Sequence, residues 1–229
     1  MRRSSRLGLR PLADIAEAGL LCFSRRGFRL TQMSDIGAEL EMSPSAAYRY
    51  VDSKEALFHV SALHAAGVAL DTLALPVMVT DLDDTVASIE DVVADWPRWP
   101  VLRAALARPA AAELDAEAEA VATELHDFLA ERWRLIVLLD RTAQDIPRLR
   151  AAFTDGYRAA YLADMVAWFV RRGGEEAMAR AGIEAISWLA MRRRSDPAAE
   201  TLIDDAARLA ASRCLAALLR DALRSPPNP

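Results

Sequence analysis

Apolar side chains recur at intervals of three and four along nearly the whole chain and nowhere settle into the strict alternation of a half-buried strand. Ala, Leu, Arg and Glu, all good helix formers, fill most other positions. The pattern predicts an all-α protein. A first helix runs from Pro11 to Arg26, with Ile15, Gly19, Cys22 and Phe23 on its inner face and Gly27 as its stop. Thr31 reads as the N-cap of a short helix through Leu40 that buries Met33, Ile36 and Leu40. Ser43 caps a third helix over 44–51, with Pro44 at its first position, where a missing N–H costs nothing. Ser53 opens a fourth helix that continues to about Leu73, short of Pro76.

Beyond Pro76 the helices lengthen. Breaks fall at Trp96-Pro-Arg-Trp-Pro100, Arg108-Pro109, Ile146-Pro147, Arg172-Gly-Gly174 and Ser195-Asp-Pro197, leaving helices over 82–95, 100–107, 111–142, 147–172, 175–194 and 198–223. The chain therefore reads as a basic arm over 1–9, a small three-helix head over 10–55, a larger helical body over 56–224 and a frayed tail over 225–229.

Composition changes this picture in one respect. The net charge of −5 argues against a nucleic-acid partner until its distribution is examined. Residues 1–55 hold nine Arg/Lys against seven Asp/Glu, and the rest holds 19 against 26. A weakly basic head on an acidic body suits a protein that offers DNA one end only. Cys22 and Cys214 form no CxxC or metal spacing and read as reduced thiols. No apolar core follows the N-terminal arginines, and no apolar run approaches ~18 residues, so a soluble cytoplasmic protein is expected.

The second and third helices are short, lie about three residues apart and each carry an apolar face, which is helix-turn-helix spacing. On a wheel of the third helix Ala47, Tyr50 and Val51 cluster on one side, while Ser45, Ala46 and Arg49 fall opposite with Tyr48 at the flank. Small residues there allow close approach to a major-groove floor, and Arg49 has the reach to read a base edge, most naturally guanine. Lys54, the only lysine, sits just past Ser53. With Tyr48 it suits two neighbouring phosphates on one strand. Arg2, Arg3, Arg6 and Arg10 either add phosphate or minor-groove contacts or form a merely solvated tail.

Gly27-x-x-x-Thr31, Ile36, Ser43, Tyr48 and Ser53-Lys-Glu-x-Leu57 together resemble the N-terminal domain of TetR/AcrR-family transcriptional regulators. The resemblance covers about a fifth of the chain, and the turn holds Leu40-Glu41 where that family usually has Ala-Gly. It implies that Thr31, Ser45, Tyr48 and Lys54 touch the DNA backbone while Pro44, Ala46 and Arg49 face the bases; Arg29 and Ser43 complete the candidate contacts. It also implies that the body binds a ligand and that the last two helices, 175–194 and 198–223, form a homodimer.

In the body, Trp96, Trp99, Phe128, Trp133, Tyr161 and Trp168 either line a mostly apolar ligand pocket or belong to the core. His64 shares a helical face with Leu57, Val60 and Val68, so it is either a ligand-sensing anchor or a satisfied core histidine. Apolar stripes through Ile183, Ile186 and Ala190, and through Leu202, Leu209, Ala216 and Leu219, fit the dimer but also simple packing. Arg192-Arg-Arg194 complements a helix C-terminus. The Asp81/Asp83/Asp84 group resembles a helix start more than a metal site, and no phosphate loop or HExxH stands in the chain. No enzyme, metal or cofactor is expected. The predicted function is a ligand-responsive regulator, a repressor, that binds a palindromic operator as a homodimer and is released by a small, largely apolar effector. The alternative is a helical adaptor without DNA binding.

Overall fold

The computed structural model describes residues 11–109, 113–199 and 201–224. The arm arginines and the tail over 225–229 therefore lie outside the described residues. Among the described residues every extended regular element is a helix, and one isolated bridge joins Val51 and Val77. It divides into two compact units. The first reaches Ala94 and includes Val137–Phe153; the second holds Asp95–Ile136 and everything from Thr154 onward. The unit containing the predicted head thus extends well past residue 55.

In the first unit α1 (Leu12–Leu30), α2 (Met33–Glu39), α3 (Pro44–Ala47), α4 (Lys54–Ala65) and α5 (Leu82–Ala94) follow in order. The helix of α1 breaks at Gly27, as its sequence predicts. Its inner face, Ile15, Cys22 and Phe23, is buried, chiefly against α4. Phe23, Phe28 and Phe58 form an aromatic knot with ring centroids 5.3–5.8 Å apart. Such pairs add about 0.5–1.5 kcal/mol each beyond their burial.

Several boundaries differ from the sequence expectation, among them the helix expected over 175–194, which ends at Ala190. α4 ends at Ala65, not near Leu73, because Gly67 adopts φ 78° and the N–H groups of Ala66, Gly67 and Val68 close back on the last carbonyls. A left-handed glycine directly after a helix is a strong stop. α3 is regular only through Ala47; Arg49 and Tyr50 continue as tight turns whose N–H groups reach the Ala46 and Ala47 carbonyls. The last helix begins at Asp204, not near 198, after a short turn at Pro197–Ala199.

The second unit contains α6 (Pro100–Ala107), most of α7 (Leu114–Thr142), α9 (Ala159–Arg171), α10 (Glu176–Ala190) and α11 (Asp204–Arg224). α8 (Pro147–Leu149) passes through a wide π-type stretch, Arg150–Arg158, into α9. α10 packs on α11 along Ile183, Ile186, Ala190, Leu215 and Leu219, all buried, so much of the terminal stripe is used within the chain. The guanidiniums of Arg193 and Arg194 cap the Leu189 and Ala190 carbonyls at the end of α10, as the sequence predicts, and both also pair with Asp204.

Candidate functional site

The helix-turn-helix is α2, a four-residue turn and α3. Gln32 and Asp35 form the capping box that opens α2: the Gln32 N–H donates to Asp35 Oδ2 at 2.8 Å. The turn holds Glu41 at φ 53°, a left-handed position usually given to glycine. Gly37 permits this tight turn, because a Cβ there would stand 2.7 Å from the Met42 carbonyl oxygen. Ser43 occupies the N-cap position of α3, but its hydroxyl meets that of Ser45 at 3.0 Å and caps no backbone N–H.

Burial sorts the third helix and its turn as the wheel predicts. Ala47, Tyr50 and Val51 are buried, whereas Ser43, Pro44, Ser45, Tyr48 and Arg49 are exposed and Ala46 is half-buried. The Arg49 guanidinium has only a long 3.5 Å contact to the Ala46 carbonyl. Arg29 is 81% exposed and reaches Asp145 at just 4.0 Å. Arg25 and Arg26, by contrast, pair with Glu39 and Asp35. Asp145 accepts the Arg29 backbone N–H at 2.9 Å, fixing the chain between α1 and α2.

Ser53 caps α4 through its hydroxyl, which accepts the Ala56 N–H at 3.1 Å. Lys54 therefore stands at a helix N-terminus, where the dipole disfavours a cation and favours an anion. Its ammonium rests 4.5 Å over the Phe28 ring and 3.5 Å from the Arg29 carbonyl oxygen. Sequence reasoning missed that seat, since Phe28 lies far back in the chain.

Thr31 is a correction. It is fully buried; its hydroxyl donates to the Gly27 carbonyl at 2.7 Å and lies 3.3 Å from that of Cys22. A side chain enclosed at the end of α1 does not face a partner, so Thr31 leaves the candidate contacts, and Gln32 takes the N-cap assigned to it. Burial, with the Glu39 and Asp35 carboxylates adding to it, pushes the Cys22 thiol up, which leaves it protonated and unreactive. Asp81 accepts the N–H groups of Asp83 and Asp84 at the start of α5.

The second unit holds a cleft of about 980 Å³ with walls from α6, α7, α9 and α11. Of the predicted ligand residues, Trp99, Phe128 and Tyr161 line it. Four do not. Trp168 is fully buried, with its indole N–H given to Glu117 at 2.9 Å. Trp96 packs edge-on against Phe128 and Tyr157 at 5.4 and 5.2 Å. Trp133 lies beneath the Arg194 guanidinium. His64, on α4, is half-buried outside this cleft: it lines a separate pocket of the first unit beside Leu12 and Leu70, and its Nε2 lies 3.0 Å from Glu17 Oε2. Trp99 takes a left-handed conformation at φ 36° and donates to Asp164 at 2.7 Å. Tyr157 donates to the Pro97 carbonyl, and burial raises its phenol to about 12, against the opposing pull of Arg98 and Arg132.

Among the described residues, no group of His, Cys, Asp and Glu is arranged to hold a metal, and no helix is long and apolar enough to cross a membrane. Residues 15–60 match the family described as bacterial regulatory proteins, tetR family. No curated protein matches the chain in sequence. A crystal structure of a protein from Mesorhizobium loti MAFF303099, described as a TetR-family transcriptional regulator, is similar at 16% identity over 93% of this chain and 95% of that one, with a TM-score of 0.42. Overlap that loose carries no argument about the body.

Proposed function

We propose that this chain, whose residues 15–60 match the family described as bacterial regulatory proteins, tetR family, is a DNA-binding transcriptional regulator that acts as a homodimeric repressor of a palindromic operator. The exposed edge of α3 carries the reading: Ser45, Tyr48 and Arg49 stand in solvent while Ala47, Tyr50 and Val51 anchor the element from behind. Arg49 reads a base edge in the major groove, Pro44 and Ala46 pack against its floor, and Ser43, Ser45, Tyr48, Arg29 and Lys54 hold the flanking phosphates.

The dimer forms through α10 and α11. Ala181, Ala185 and Trp188 on α10, and Ala206 and Ala210 on α11, leave an exposed stripe at helical spacing after the two helices have packed on each other. Two-fold symmetry then sets the α3 segments about 34 Å apart, one DNA turn. A small molecule in the cleft of the second unit favours a separation of the heads that no longer matches successive grooves. Full release requires a differential affinity of about 5.5 kcal/mol between the two states.

Selection from a random duplex pool followed by footprinting tests the proposal. It predicts one enriched palindrome protected on one face over two successive turns. Enrichment of no duplex at low salt contradicts it and leaves the head as a protein-docking surface of a helical adaptor.

A further inference from the structure

The charge ledger of the cleft points to a ligand class, and we propose that it binds a lipophilic organic cation. This deepens the effector-release reading above and rests on it. Five carboxylates line the cleft, Glu119, Glu124, Asp127, Glu131 and Asp205, against two guanidiniums, Arg132 and Arg208. Both guanidiniums are matched. Arg208 binds Asp127 in a two-pronged pair, with contacts of 2.7 Å from Nε and from its terminal nitrogen, and Arg132 binds Glu131 at 2.5 Å.

Glu124 is also engaged, accepting the N–H groups of Val101 and Leu102 at 2.7 and 3.0 Å where α6 begins. Two carboxylates remain. Glu119 and Asp205 are exposed and form none of the close ion pairs seen among the described residues, although Asp205 feels the Arg208 charge at longer range. The same cleft is lined by Trp99, Phe128 and Tyr161, whose ring faces attract positive charge, as Arg103 over Trp99 and Arg132 over Phe128 already show, and by Leu209, 50% exposed.

A second observation is independent of the acids. The Tyr161 hydroxyl is buried and has no hydrogen-bond partner, an arrangement natural proteins rarely leave unfilled. Its ring lies edge-on to Trp99 at 4.9 Å. Burial holds its phenol well above the ordinary range, with the Glu124 charge adding to this, so the group is a neutral hydroxyl able to accept from an ammonium N–H or donate to a ligand oxygen. A neutral apolar ligand would strip water from Glu119 and Asp205 without replacing it, and an anion would meet uncompensated carboxylates. A cation with an apolar body satisfies the acids and the rings together.

Tetraphenylphosphonium and tetraphenylborate share one shape and differ in sign, so they isolate the charge. Titration of the full-length protein, free of DNA, by calorimetry and tryptophan quenching should show saturable phosphonium binding at least about tenfold tighter than borate. The double variant Glu119→Gln, Asp205→Asn should lose most of that preference. Its thermal midpoint should fall only slightly, since Glu119 and Asp205 are exposed and Asp205 meets Arg208 and the start of α11 only through long-range charge. Equal binding of the two probes, no phosphonium binding, or a double variant that keeps the preference overturns the assignment. Duplex binding measured in parallel separates the failures. A chain that binds DNA but not phosphonium loses only the cation, whereas one that binds phosphonium but no duplex keeps the cleft and loses the repressor.

Discussion

Arg49 in the head and Arg172 in the body carry the same guanidinium to opposite ends. Arg49 stands in solvent with one long contact to its own turn. Arg172 is buried and binds Glu117 at 2.8 Å and the Ala105 carbonyl at 2.8 Å, while Glu117 also receives the Trp168 indole. A buried pair is committed to the fold, because removing either partner leaves a charge stranded away from water. An exposed, unmatched cation adds little to stability and stays available to a partner. The same contrast separates the α3 edge from the cleft, where the matched arginines Arg132 and Arg208 contribute walls and no free charge.

The comparison breaks most easily at its buried end. Glu117→Ala should destabilise the protein by about 3–5 kcal/mol in urea unfolding. Affinity for DNA per folded molecule should not change; a loss under about 1 kcal/mol would mean that the pair is hydrated. Burial alone would raise the Glu117 carboxyl, but the bonds from Arg172 and Trp168 outweigh it and hold the group below its ordinary range. A depressed folded value means the stabilisation is complete above the unfolded carboxylate range and is lost as pH falls through the folded value. Acid unfolding of Glu117→Gln should lack that component.

At the exposed end, Arg49→Ala should leave the unfolding midpoint within about 0.5 kcal/mol of the parent. Binding to the preferred duplex should weaken by about 1–3 kcal/mol, with relaxed specificity at one position in competition gel shifts. Thr31→Val sharpens the contrast from inside the head. Losing the bond to the Gly27 carbonyl should cost about 1 kcal/mol of stability, with no change in the salt dependence of DNA binding. A reduced salt slope would restore Thr31 as a phosphate contact. Smallest is Lys54→Gln, which should weaken binding evenly across sequences and lower the salt slope by about one phosphate.

Proline and glycine made much of the fold legible. Pro100, Pro147 and Gly27 mark helix boundaries as the chain alone suggests, and the wheel of α3 separates Ala47 from Arg49 correctly. Gly67 carries the same signal, and it ends α4 ahead of the expected stop near Leu73. Other misses have a different cause. A threonine before a helix looks the same whether it caps forward or latches back, and only tertiary packing against α1 decides for Thr31. Trp168 and Trp99 look alike in sequence and both are buried, yet only Trp99 borders the cleft. Arg172 and Glu117 meet across 55 residues, beyond any local pattern.

The central claim is that the free side chains of the α3 edge grip duplex DNA. Fluorescence anisotropy of the selected palindrome, titrated with parent protein and Arg49→Ala across a series of salt concentrations, tests it most directly. The account predicts a steep loss of parent affinity with salt, with Arg49→Ala weaker on the palindrome and nearly equal to the parent on scrambled duplex. Parent binding that is indifferent to salt, or a variant that discriminates as well as the parent, would contradict it.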